Sequence, residues 1–209
     1  MGIEDRRQSE RQARIDAIKS SAWKIFLRDG FDAAKIADIA EDCRLGLSTL
    51  YYYFKDKRQI VYSLMLDFKS EINTALIQLI EKHVTYREFV RGYIDIHIRD
   101  MEKFKFFVFA DSFYNYHSQY DLSDPILVEY DRITGENGRY IVTCLTQNLG
   151  ADTVDGVRVA LGMILGSLRR FVLVPPDSWP HTESERAVML EKFETLSVSL
   201  FEAIGFDID

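Results

Sequence analysis

The chain has 209 residues, 47% of them hydrophobic and 28% charged, with a formal net charge of −7. That length can bury a sizeable core in one large domain or two small ones, and the composition is that of a water-soluble globular protein. The longest apolar stretch, residues 157–168, contains Arg158, two glycines and a serine and falls short of the ~20 residues a membrane span requires, so no membrane partner is expected.

The N-terminus opens with Glu4, Asp5, Arg6 and Arg7 instead of an apolar run, so no signal peptide is expected. Cys43 and Cys144 sit in apolar patterns without metal-ligand spacing, as reduced thiols of a cytoplasmic protein do, and the four histidines are not clustered. No metal and no cofactor is therefore expected. The charge is unevenly spread. Residues 1–60 carry 12 Lys/Arg and 10 Asp/Glu, a balance of +2, which leaves 14 and 23, or −9, for residues 61–209. Within 44–58, Arg44, Lys55, Lys57 and Arg58 face Asp56 alone, so the local field there favours phosphate.

Residues 1–8 read as a mobile polar arm, and Arg6, Arg7, Arg11 and Arg14 are placed either to reach phosphates or simply to stay solvated. A helix over about 9–28 carries an inner stripe of Ile15, Ile18, Ala22, Ile25 and Phe26, and Gly30 supplies a left-handed stop. Ile36, Ile39, Ala40 and Cys43 recur at three- and four-residue steps, and after the short link 44–46 a second helix buries Leu50 and Phe54. Ala40 is small where two steeply crossing helices touch. The second helix exposes hydroxyls, phenols and cations, which is the chemistry of a helix presented to phosphates and base edges.

Ala22 to Phe26 before Gly30-Phe31, then Asp38-Ile39-Ala40, and above all Thr49-Leu50-Tyr51-Tyr52-Tyr53-Phe54-Lys55-Asp56-Lys57 resemble the DNA-binding domain of the TetR (tetracycline-repressor) family of bacterial transcription regulators. The resemblance covers residues 9–60. It implies an all-α fold, with an N-terminal three-helix, helix-turn-helix domain over 1–56 and a helical bundle for ligand binding and dimerisation over 57–209. It implies contacts to operator DNA from Lys35, Gly46, Leu47, Ser48, Thr49, Tyr51, Tyr52, Tyr53, Lys55 and Lys57. The chain departs from the family at Ala34-Lys35, where a threonine usually opens the first motif helix, and at Arg44, in place of the turn glycine. Gly46 stands for the capping serine, and Leu47-Ser48 for a frequent lysine-glycine pair. Leu47 suits a thymine methyl or the local core equally.

Asp56 is placed to cap a long amphipathic helix running to about residue 83. Thr85 opens another helix, through Tyr93 to about residue 102, followed by a dense run of aromatics from Phe104 to Tyr120. Asp124-Pro125 starts a helix that Gly135 and Gly138 weaken midway, predicting a kink or break. Two last helices, about 152–174 and 183–204, flank a proline-rich link.

In the family these two helices form a four-helix dimer interface, here expected to use Leu161, Leu165, Leu168, Phe193, Leu196 and Leu200. Gly162 and Gly166 would allow close approach. A small apolar or aromatic effector is expected in a pocket of Tyr93, His97, Phe109, Phe113, Tyr116, His117 and Tyr130, though aromatics at helical spacing also serve as ordinary core. Asn115 and Arg132 add polar groups there. The chain reads as a homodimeric, ligand-released repressor of palindromic operators and not an enzyme. An all-helical enzyme or a helical interaction module are the alternatives, and no phosphate loop, nucleophile elbow or zinc signature supports the first.

Overall fold

A computed structural model describes residues 2–82, 84–116, 124–148, 154–172 and 182–203. All regular structure among them is helical. Helix α1 (Ile3–Ala33) begins earlier than expected. The Gly2 amide donates to the Asp5 carboxylate at 2.8 Å and closes its first turn, so the arm is part of the helix. Ile18, Ala22, Ile25 and Phe26 form its buried stripe. At Gly30 the backbone turns left-handed (φ 78°), which breaks the helical path and redirects the last turn.

Helices α2 (Ile36–Asp42) and α3 (Leu47–Tyr53) follow. Their turn is a Schellman closure: Leu45 N–H donates to Ala40 O at 2.8 Å and Arg44 N–H to Glu41 O at 3.0 Å. Arg44 sits left-handed at φ 54°, in the position a glycine would occupy most easily.

Helix α4 (Lys57–Ile80) starts on Asp56, whose carboxylate accepts from the Arg58 and Gln59 amides. At 1.5 Å per residue it is about 36 Å long and runs from the head into the body. Helix α5 (Tyr86–Ile98) opens with a capping box between Thr85 and Glu88. Gly92 lets α4 and α5 approach closely, since a Cβ there would lie 2.5 Å from Leu79 Cδ2. The helix expected to reach residue 102 ends at Ile98. Asp100 then accepts from the Lys103 amide at 3.0 Å and starts α6 (Met101–Tyr116).

Helix α7 (Pro125–Asn148) is capped by Asp124 and runs unbroken past Gly135 and Gly138, where a break was expected. It packs along α4. Helices α8 (Val154–Val172) and α9 (Glu183–Ala203) complete the described bundle, with α9 lying against α5.

The aromatics of α6 divide by face. Phe104 and Phe107 point into the bundle, the Phe107 ring 5.0 Å from that of Phe68. Phe106 meets Trp23 edge-on at 5.0 Å and stacks on Phe26 at 6.0 Å, joining body to head. Buried charges tie helices together. Glu194 of α9 is held by Arg87 and Arg91 of α5. Asp111 of α6 receives the Tyr130 hydroxyl at 3.2 Å and the Arg169 guanidinium at 2.8 Å. No described helix is long and apolar enough to cross a membrane.

Candidate nucleic-acid interface and effector cavity

A seven-residue helix is too short to be stable alone, so α3 is held by its anchors. Leu50 is wholly buried and Phe54 nearly so, with Leu45 packed beside them. Everything else on α3 follows from that orientation. Leu47 is 45% exposed, Tyr51 49% and Tyr52 71%, while Ser48, Thr49 and Lys55 are exposed. Leu47 thus faces outward more than it seals the core. Gly46 precedes the helix with extended backbone and Lys35 stands exposed before α2.

Tyr53 is half-buried. Its ring meets that of Tyr52 edge-on at 5.1 Å, and the Arg11 guanidinium lies 5.6 Å from the Tyr52 centroid and 5.4 Å from that of Tyr53. Arg7, Arg11 and Arg14 line a groove with these two phenols. These arginines were expected either on phosphates or in solvent, and they stand beside the phenols of α3. Their spacing of four and three residues, which puts all three on one helical face, was the available signal.

Lys57 departs from expectation. Its ammonium donates to the carbonyls of Phe31, Ala34 (2.9 Å) and Asp32 (3.2 Å), and lies 4.4 Å from the Phe31 ring centroid. An ammonium has three donors, so all are engaged inside the domain instead of facing outward to a phosphate. The chain leaves the helical path at Ala34 and Lys35, so the last carbonyls of α1 have no helical partners, and Lys57 supplies donors to them.

Gln59 forms a bridge from α3 to the body. Its Oε1 accepts from the Lys55 amide at 2.7 Å, and its Nε2 donates to Asp124, the cap of α7, at 2.5 Å. Burial opposes ionisation of Asp56, but the Arg58 side chain and the two cap amides hold its carboxyl below the usual range.

In the body, a cavity of about 400 Å³ opens between α4, α5, α7 and α8. Lys69, Asn73 and Leu76 line it from α4, Tyr93 and His97 from α5, Gly135, Gly138, Arg139, Ile141 and Val142 from α7, and Arg158 and Leu161 from α8. Of the seven residues expected to form a pocket, Tyr93 and His97 line this cavity. Tyr130 is buried against Asp111, and Phe109 is 44% exposed near Phe31 on the head side. His117 and the side chains of Phe113, Tyr116 and Asn115 lie outside the described residues.

Arg132 is exposed and paired with Glu129 and Glu136, away from the cavity. His97 Nδ1 is 2.8 Å from the Tyr93 carbonyl, and burial lowers the ring's pKa to about 4, so it is neutral near pH 7 and donates from Nδ1. Burial also pushes the Tyr93 phenol above its ordinary value.

The expected interface residues separate in the same way. Leu168 and Phe193 are buried within the subunit, and Leu161 and Leu165 are half-buried against its core, whereas Leu196 is 68% exposed. The Leu200 side chain lies outside the described residues. The outer faces carry Val159 and Met163 on α8 and Val188 on α9. Between the first two, Gly162 has nothing within 4 Å of where a Cβ would stand, and neither does Gly166 one turn on.

The family model described as bacterial regulatory proteins, tetR family, matches residues 18–64. No curated protein sequence matches the chain. Among solved structures, the TetR family transcriptional regulator PfmR from Thermus thermophilus is 19% identical with a TM-score of 0.62, covering 88% of this chain and 97% of its own. A TetR-family regulator from Mesorhizobium loti is 18% identical with a TM-score of 0.63, over 93% and 97%. AibR, solved with isovaleryl coenzyme A and operator DNA, is 16% identical with a TM-score of 0.58, over 90% and 98%. Residues 18–64 thus match the helix-turn-helix region of the tetR family of bacterial regulatory proteins, and the all-helical fold is shared along nearly the whole chain with solved TetR-family regulators.

Proposed function

We propose that the protein is a dimeric repressor that grips a palindromic operator with two copies of α3 and is released by a small-molecule effector bound in the body cavity. The observation that carries this reading is the split surface of α3: Leu50 buried, and Leu47, Ser48, Thr49, Tyr51 and Tyr52 turned outward. In this reading Ser48, Thr49 and Leu47 meet base edges, while the Tyr51, Tyr52 and Tyr53 hydroxyls, Lys35, Lys55 and the Gly46 backbone meet phosphates. Arg7, Arg11 and Arg14 extend the phosphate track along α1. Lys57 shapes the head from within.

One short recognition helix reads too few bases for useful specificity, so two-fold pairing is required. The outward apolar faces of α8 and α9 support a second copy as the partner. A division near residue 56 follows function, with head residues on DNA and body residues on effector and partner. The AibR complex, which holds both an acyl-coenzyme A and operator DNA, supports joint control by two ligands in this fold.

The test is selection of a binding sequence from random duplex DNA, followed by titration across salt. A palindrome should emerge. Arg11→Ala with Lys55→Ala should weaken binding to it and flatten the log–log salt slope by about 2–4, because each lost phosphate contact removes nearly one unit and a dimer loses two per substitution. An unchanged slope would remove α3 and α1 from the interface.

A further inference from the structure

We infer that the cavity between α4, α5, α7 and α8 takes an amphipathic organic anion, its anionic oxygens on Lys69 and Asn73 and its apolar body against Leu76, Val142 and Leu161. This rests on the reading of the chain as an effector-controlled regulator and names the chemistry of the effector.

Lys69 and Asn73 stand one turn apart on α4, so both reach the same wall of the cavity. Asn73 is 3% exposed, yet its Nδ2 has no hydrogen-bond partner among the described residues. A buried amide donor without an acceptor is unfavourable and is met in proteins mainly where a ligand or water completes it. Lys69 is half-buried and makes no ion pair among the described residues; the carboxylate acting on it, Asp111, is already held by Arg169 and Tyr130. Burial, and then repulsion from Arg169, keep the Lys69 ammonium below the ordinary lysine range, so an added negative charge would relieve both.

The rest of the lining agrees. Among the described residues it contains three cations, Lys69, Arg139 and Arg158, and no Asp or Glu. Arg139 makes no ion pair among those residues, and Arg158 is 3.4 Å from the exposed Asp155. His97 is neutral and adds no charge. Gly135 and Gly138 keep the α7 wall low, for nothing lies within 4 Å of a Cβ placed at Gly138. A neutral aromatic ligand would bury the Lys69 charge and the Asn73 donor against hydrocarbon, which is the unfavourable arrangement. An anion with an apolar tail satisfies the polar and the apolar lining together.

Calorimetry and thermal unfolding of the full chain with octanoate, octyl phosphate and methyl octanoate test this. One or both anions should bind at least about tenfold more tightly than the ester, and about 100-fold saturation should raise the unfolding midpoint by about 5 °C or more. The preferred anion identifies a carboxylate or a phosphate headgroup. Lys69→Met and Asn73→Leu should each lose about tenfold for the anion without weakening the ester, which also shows that the fold is intact; Lys69→Gln repeats the test without the longer apolar side chain. Equal binding of ester and anions, or binding of none of the three, overturns the inference. Release of the selected palindrome is measured separately: anion binding without release would overturn effector control while leaving the anion site standing.

Discussion

Single residues at the turns decide how well the head is held. Arg44 occupies left-handed backbone at φ 54° where most of its chemistry offers no help. A side chain there costs about 1–2 kcal/mol relative to glycine, partly offset by the greater freedom glycine has when unfolded. Arg44→Gly should therefore raise stability by about 1 kcal/mol, read as a higher urea midpoint with an unchanged slope. A lower midpoint would mean that the Arg44 side chain makes a stabilising contact that outweighs its backbone strain. Lys57 teaches the complementary lesson. As a lysine at a helix start it resembles a phosphate ligand, but three carbonyls at the end of α1 already use its donors. Its conservative replacement by arginine would change that cap, because a planar guanidinium cannot converge on three carbonyls as an ammonium does.

Between elements, Gln59 links the end of the recognition helix to the first turn of α7, and α7 forms the glycine-bearing wall of the cavity. The same α6 that fills the bundle with Phe104 and Phe107 sends Phe106 to the head. Head and body therefore meet through polar contacts, Gln59 with Asp124 and Lys19 with Asp67, and through aromatic contacts of Phe106 and Phe109 with Trp23, Phe26 and Phe31. Gln59→Leu removes both bonds of the bridge without disturbing the Asp56 cap. It should lower stability by about 1–2 kcal/mol and speed hydrogen exchange at the Lys55 amide and the start of α7. Unaltered exchange at those amides would mean that the bridge does not couple the two elements.

At the scale of the whole molecule, the outward faces of α8 and α9 carry exposed apolar side chains. Leu196, Met163, Val159 and Val188 are each at least half exposed, and Gly162 and Gly166 leave room for another helix. Leu196→Glu should convert the proposed dimer to a monomer in sedimentation with unchanged helicity, since that side chain is 68% exposed. A dimer that persists would exclude this face. The charge imbalance acts at the same scale. An acidic body of −9 beside a head of +2, by the count over residues 61–209 and 1–60, disfavours a polyanion along the body relative to the head.

The sequence by itself determined the features whose causes are local. The buried stripe of α1, the left-handed stop at Gly30, the Asp56, Thr85 and Asp124 caps and the anchors Leu50 and Phe54 all follow from residues within a few positions of one another. The all-helical class and the helix-turn-helix were legible for that reason. Tertiary structure alone decided what depends on distant partners. Lys57 turns inward because it meets carbonyls 26 and 23 positions away, and Arg91 holds a carboxylate 103 positions away. Which α6 aromatics face the head, which leucines of α8 and α9 remain outside, and the basic lining of the cavity are facts of the same kind. A helical wheel shows that a residue lies on a face, but only packing determines what that face meets. That is why α3 could be placed from its own pattern, while a pocket was expected among the aromatics and the cavity proposed for the effector lies between Lys69, Asn73 and α7.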